Sequence, residues 1–408
     1  MKRQIIRNGR LITPDGILEH HALRIENGVI AAIIPEPVQI PAGWDVLDAD
    51  GLFVSPGFVD IHQHGGGGSD YMDEDPDAYY QALSAHLRHG TTSVMPTLLS
   101  AAGEHTIRAV RQYVRAAGDP RIRANMLGLH IEGPYISPMQ AGAQRPDQIR
   151  GFDPKEYHAV WEAAEGHLKR WSVAPELPGA AEFARYARDN GTVLSIAHSD
   201  ADFDTVLRAF DWGFHHVTHL YSAMSTVKRQ NGFRIAGVLE AAYYLDGMNV
   251  EIIADGCHLP PSLLRLVTKL KKPERVALIT DAMRAAGMHV SASYLGSREE
   301  PTPVIIEDGV AKLPDRTAFG GSIATADRLV RTMVKAGGSL ESAVQMVTQT
   351  PLKMMELDVK KGQLRCGYDA DLCLFDEEIR VHSVIVGGEA VETADETLRQ
   401  KGETEQGR

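Results

Sequence analysis

Eight short apolar segments recur through the middle of the chain, and most of them end in an imidazole or a carboxylate. They are FVDIHQH (58–64), TSVMPT (92–97), MLGLHIEG (126–133), WSVAPE (171–176), TVLSIAH (192–198), HHVTHL (215–220), NVEIIAD (249–255) and RVALITD (275–281). Helix-like stretches such as PDAYYQALSAHLRHG, GAAEFARYARDNG and SLLRLVTKLKK lie between them. Strand–helix alternation repeated eight times predicts an α/β fold of the (β/α)8 type, a TIM-like barrel spanning about residues 56–356. The competing open, doubly wound sheet is disfavoured because no GxGxxG follows a first strand.

The two ends read differently. IIRNGRLI and ALRIENGVIAAII place Asn8-Gly9 and Asn27-Gly28 between apolar runs. Asn-Gly is a hairpin signal because a type I′ turn needs positive φ at both central residues. DADLCLFD and VHSVIVGGEAVE read as strands too, with a Gly387-Gly388 turn. Residues 1–55 and 357–392 are therefore expected to form one small β-sandwich domain from both termini. A polar, frayed tail is expected over 393–408. The glycine run Gly65–Gly68 reads as a flexible loop.

Composition excludes several roles. A net charge of -12 disfavours a general nucleic-acid surface. There is no run of about 18 apolar residues to span a membrane. The basic start, MKRQIIRNGRLITPDG, lacks the apolar stretch of a secretory signal. The three cysteines, Cys257, Cys366 and Cys373, have no metal-ligand spacing and suit a reducing, cytoplasmic setting.

Catalytic residues of a barrel stand at the C-terminal ends of its strands. His62 and His64 share one strand face, since side-chain direction has period 2, and can meet one cation; the plainer reading is two polar histidines at a strand end. Glu132 needs a partner if buried, and a divalent metal is one. With His198 and His219 it makes a two-His, one-carboxylate set with open positions, suited to Zn²⁺ or Fe²⁺. Asp281 fits a general base beside an activated water. His258, just past the seventh strand, reads as a substrate contact. His130, His215 and His216 read as packing or tuning residues, and Cys257 as a bystander. Glu176 either orients substrate or pairs with a nearby base.

In this order the motifs resemble the amidohydrolase superfamily, and within it the amino-sugar-phosphate deacetylases. The resemblance rests on PGFVDIHQHG (56–65), GTTSVMPT (90–97), GLHIEGPYISP (128–138), APE (174–176), AHSDA (197–201), THLYSAM (218–224), ADGCH (254–258), TDAM (280–283) and KGQLRCGYDADLCLFD (361–376). It implies a metal on Glu132, His198 and His219, with Asp281 as acid/base and a second ion on His62 and His64. It implies substrate contacts at Ala143, Ser222, Ala223, His258 and the loop Phe319, Gly320, Gly321 and Ser322. It also implies a homodimer, and removal of the N-acetyl group of N-acetylglucosamine 6-phosphate, with another N-acylated amino sugar as the alternative substrate. Three departures stand out. The family usually has GAH where this chain has Gly142-Ala143-Gln144. It usually has asparagine at Ser222. An Arg-Glu-Pro-Gly stretch, whose arginine reaches phosphate in a neighbouring subunit, is replaced by STVKRQNGFRIAG, so Lys228, Arg229 or Arg234 takes that part. A non-catalytic barrel scaffold is the rival from another class; retention of every ligand position and of Asp281 argues against it.

Overall fold

A computed structural model describes residues 2–391; the tail expected over 393–408 lies outside the described residues. Eight parallel strands form the barrel: Phe58–Gln63, Thr91–Leu98, Leu129–Glu132, Leu168–Val173, Val193–Ile196, Phe214–Val217, Asn249–Ile253 and Val276–Ile279. Each pairs with the next in chain order. All eight lie inside or overlap the segments legible in the sequence. They are almost wholly buried, as expected of parallel strands covered by helices.

The circle is closed by side chains as well as backbone. Gln63 bridges Ala282, and the Asp281 N–H donates to the His62 carbonyl. Asp60 on the first strand accepts from the backbone N–H and the hydroxyl of Thr280 beyond the eighth. Burial pushes its carboxyl up to about 6, against the lowering pull of these bonds.

The termini build an eight-stranded sheet. Its main path runs Glu389–Val391, Val381–Val386, Leu372–Phe375, Phe53–Pro56, Arg3–Thr13, Gly16–Glu26 and Val29–Pro35, with Asp45–Asp48 alongside Arg3–Thr13. Asn27 and Gly28 have φ of 52° and 80°, and Gly387 and Gly388 have 56° and 75°, as their hairpins require.

Asn8-Gly9 is not a hairpin. The strand Arg3–Thr13 runs straight through it with a register shift, and the turn falls after Thr13, which pairs with Gly16. Asn8 is left-handed, with φ 55°. A side chain at Gly9 would stand 2.7 Å from Val54 Cγ2, so the pair serves a bulge and a close approach.

The glycine run is likewise not a loose loop. Gly65–Gly66 pairs with Ser69–Asp70 as a miniature hairpin. The N–H groups of Gly65, Gly67 and Gly68 donate to Ala282, Ala286 and Arg284. A Cβ on Gly65 would lie 2.1 Å from the Ser69 carbonyl oxygen. Gly65→Ala is therefore expected to destabilise the protein by about 1–3 kcal/mol, the cost usual for overpacking. Urea denaturation checks this, and an unchanged midpoint would show that the segment yields.

The segment after the eighth strand had no sequence forecast. There Ala292–Leu295, Thr302–Glu307 and Val310–Lys312 form a three-stranded antiparallel sheet. Leu295, Val304 and Ala311 pack with Leu99 and Met283, which brings this insert against the barrel mouth.

Candidate active site

Glu132 stands at the centre of the site, at the C-terminal end of the third barrel strand and almost fully buried. Its Oε1 lies 2.9 Å from His219 Nε2, 3.2 Å from His198 Nε2 and 3.7 Å from His62 Nε2. Its Oε2 lies 3.5 Å from His64 Nε2. Asp281 Oδ1 closes the ring, 3.1 Å from His64 Nε2 and 3.5 Å from His62 Nε2. The six residues predicted from strand ends thus converge. Two groups that could each hold a metal ion result, His62–His64–Glu132 and Glu132–His198–His219, sharing the one carboxylate.

The backbone is bent to achieve this. His198, His219 and Asp281 all have left-handed φ, at 47°, 30° and 47°. Such conformations cost non-glycine residues roughly 1–3 kcal/mol each and gather at functional sites.

Hydrogen bonds on the far side of each ring fix what the imidazoles offer. Nδ1 of His64, His198 and His219 lies 3.2, 2.7 and 3.2 Å from the carbonyls of Thr97, Gln140 and Ser222. A carbonyl only accepts, so Nδ1 carries the proton and a neutral ring points its Nε2 lone pair inward. His62 Nδ1 faces Glu251 Oε2 at 3.5 Å, and His62 Nε2 is buried without a hydrogen-bond partner. Lone pairs aimed at carboxylate oxygens repel unless something positive lies between. Burial alone would lower the proton affinity of His62, but Glu132, Glu251 and Asp281 outweigh it and lift the group to about 10. Glu132 is held well below the usual carboxylate range by the imidazoles, despite its burial. The residues present therefore fit a divalent cation, with donors typical of Zn²⁺ or Fe²⁺.

The support beneath His62 was not read from the sequence. Glu251 forms a buried ion pair with Arg170, which also donates to Ser195 and Thr218. Carboxylates behind metal-binding histidines commonly set ring orientation and basicity. Glu251 was findable: it lies four residues before Asp255 and so on the same face of the strand. Arg170 shares its strand, Leu168–Val173, with Lys169 and Ser172, so its charge did not stand out. His130 is not a ligand; it bonds Thr97 and Ser172 and meets His62 edge-on at 4.8 Å. Burial holds it neutral, well below its ordinary value. Glu176 accepts from the Ser199 hydroxyl and the Asp200 N–H, bracing the loop after His198.

A cavity of about 240 Å³ opens over these groups. Ala143, Ser222, Ala223, His258, Phe319 and Gly321 line it, as the resemblance implied. His258 is held through Nδ1 by Asp255 Oδ2 at 2.9 Å, and its ring packs on Phe319 at 4.6 Å. Its other polar atom, Nε2, is thereby what the ring can offer a ligand. Gly320 and Ser322 do not line the cavity; Ser322 instead bonds the backbone of Thr280 and Asp281, bracing that turn. Nor does Arg229 reach it within one chain. Arg229 sits on an exposed hairpin, Lys228–Gln230 with Phe233–Ile235, directly opposite Arg234. Leu99 and Leu295 complete the wall; Leu295 comes from the unforeseen insert.

Fold and site together define a barrel hydrolase in which a carboxylate, Asp281, stands beside residues that could hold a metal ion. The chain belongs to the amidohydrolase family, which residues 53–391 match. It is 33% identical to an N-acetylglucosamine-6-phosphate deacetylase of Lysinibacillus sphaericus, over 94% of this chain and 96% of that one. It is 32% identical to an N-acetylgalactosamine-6-phosphate deacetylase of Escherichia coli O157:H7, over 94% and 98%. Its structure resembles that of a mutant N-acetyl-D-glucosamine-6-phosphate deacetylase from Mycobacterium smegmatis in complex with N-acetyl-D-glucosamine-6-phosphate. There the TM-score is 0.87 and the identity 30%, over 96% of this chain and all of that one. No helix among the described residues is long and apolar enough to cross a membrane.

Proposed function

We propose that the chain removes the N-acetyl group of N-acetylglucosamine 6-phosphate, giving glucosamine 6-phosphate and acetate. The observation that carries this reading is Asp281 Oδ1 set beside a shared Glu132–histidine centre at the floor of a cavity. The names of the relatives support the amide and the sugar phosphate. Glu132, His198 and His219 would hold the cation, with His62 and His64 offering a second place. Such an ion polarises a carbonyl and lowers the pKa of water. Asp281 takes the proton from the attacking water and returns it to the sugar nitrogen as the C–N bond breaks. His258, locked by Asp255, meets a polar atom of the acetyl group or sugar. The walls formed by Leu99, Leu295 and Phe319 limit water around the reacting bond.

N-acetylgalactosamine 6-phosphate is the second reading. The Escherichia coli O157:H7 relative favours it at nearly the same identity, and Ser222 stands where the family usually has asparagine. For the phosphate we assign the hairpin that carries Arg229 and Arg234, offered by a second copy of the chain. Two arginines directly opposite on paired strands repel, which an external anion relieves. Phe233 and Tyr244 nearby are 75% and 68% exposed, which supports a homodimer contact. The free cysteines suit a cytoplasmic enzyme.

The test is acetate release from both N-acetylhexosamine 6-phosphates and their unphosphorylated forms. It uses protein stripped with a chelator and then reloaded with Zn²⁺ or Fe²⁺. Activity should vanish on stripping, return with the ion and favour the phosphorylated sugars. No release from any of the four by the reloaded protein would end the reading.

A further inference from the structure

Gln144 ties the cavity wall to the carboxylate at the centre of the site. It is buried. Its Oε1 accepts the backbone N–H of Ser100 at 3.1 Å, and its Nε2 donates to Glu132 Oε2 at 3.0 Å. The Ser100 N–H can only donate, so the amide cannot be turned round: its NH2 end has to face Glu132.

The two oxygens of Glu132 are thereby made unlike. Oε1 faces His198 and His219, while Oε2 is engaged by the amide. A glutamate's terminal torsion is broad and nearly two-fold, so without a fixed donor the two oxygens exchange readily. The anchor is tied to the barrel, because Ser100 lies two residues past the end of the second barrel strand, Thr91–Leu98. A neutral donor also suits the task. A lysine or arginine in its place would orient Glu132 equally well but would cancel the charge a cation needs.

We propose that Gln144 is a positioning residue that locks the Glu132 carboxylate, commits Oε1 to the His198–His219 side and so sets the affinity for the cation held there. This rests on the reading of Glu132, His198 and His219 as the cation site. It assigns a role to the position where the chain departs from the usual GAH. The bond reaches the cation only through Glu132, so metal affinity reports it directly, without turnover.

The experiment is competition for Zn²⁺ between a chromophoric chelator and metal-free protein. Wild type is compared with Gln144→Met, which keeps the volume and loses the donor, and with Gln144→His, which restores a ring N–H. Groups that orient a metal ligand are usually worth about 10–100-fold in affinity, so Gln144→Met should weaken Zn²⁺ binding by about that factor, and Gln144→His should stay within about threefold of wild type. Circular dichroism of the metal-free proteins checks that they fold. If Gln144→Met does not fold, Gln144→Asn replaces it, since its amide is one methylene too short to hold both partners, and the same loss is expected. Unchanged affinity in the variant lacking the donor overturns the proposal. Equal losses in the Met (or Asn) and His variants overturn it as well, because the loss then follows packing rather than the donor. Wild-type protein with no affinity for Zn²⁺ would instead remove the cation-site reading on which this one depends.

Discussion

Asp281→Asn is expected to take up its cation normally and to release acetate at least about 10²-fold more slowly, the scale usual for general acid/base groups. The substitution preserves shape and leaves Glu132, His198 and His219 untouched. It removes the only property the step needs, a carboxylate oxygen able to accept a proton and give it back. Oδ1 is well placed for that, since it already lies 3.1 Å from His64 Nε2 at the cavity floor. Ser322 and the left-handed backbone at Asp281 hold it there. The acid side of the pH–rate profile should also flatten, because the group whose protonation stops the reaction is gone. The measurement is turnover with metal content determined on the same sample. Near-normal turnover in a fully loaded variant would falsify the role given to Asp281.

Glu132→Gln should do something different: abolish tight cation binding, and turnover with it. Glu132 is the only carboxylate common to both ligand sets. An amide there keeps an oxygen but loses the charge that draws a cation among inward-facing lone pairs. The expected loss exceeds the ~10–100-fold typical of groups that merely orient a ligand, and activity should fall to the level of chelator-stripped protein. Calorimetric titration with Zn²⁺ checks it. Binding within tenfold of wild type would mean that the ion sits elsewhere, and the site would have to be redrawn.

The contrast between the two variants separates holding the ion from moving the proton. It also explains why so much of the site could be read from the sequence. His62, His64, Glu132, His198, His219 and Asp281 all stand at or within two residues of a strand's C-terminal end, and a parallel barrel gathers strand ends at one rim whatever the helices between them do. Strand position and period-2 direction were local signals, and they sufficed.

What escaped was non-local. Arg170 and Glu251 lie mid-strand, and their pairing depends on side chains that meet across the barrel interior. Leu295 reaches the cavity from an insert whose strands have no strong local pattern. Asn8-Gly9 carries the right dipeptide for a turn, yet tertiary packing against Val54 claims it for a bulge. The glycine run at 65–68 is rich in the residue most associated with freedom, but its glycines are demanded by crowding, not by motion. In the last two cases a local preference was overruled by a neighbour distant in sequence.

The terminal sheet carries a consequence for how the molecule is made. Phe53–Pro56 lies between Arg3–Thr13 and Leu372–Phe375. During synthesis the early strand has one exposed edge until the last tenth of the polypeptide emerges from the ribosome. Unpaired edges invite wrong partners, and pairing across so great a separation is slow. Clipping the end of the chain back past Leu372 should therefore reduce the yield of soluble protein even though every group of the reaction centre is still encoded.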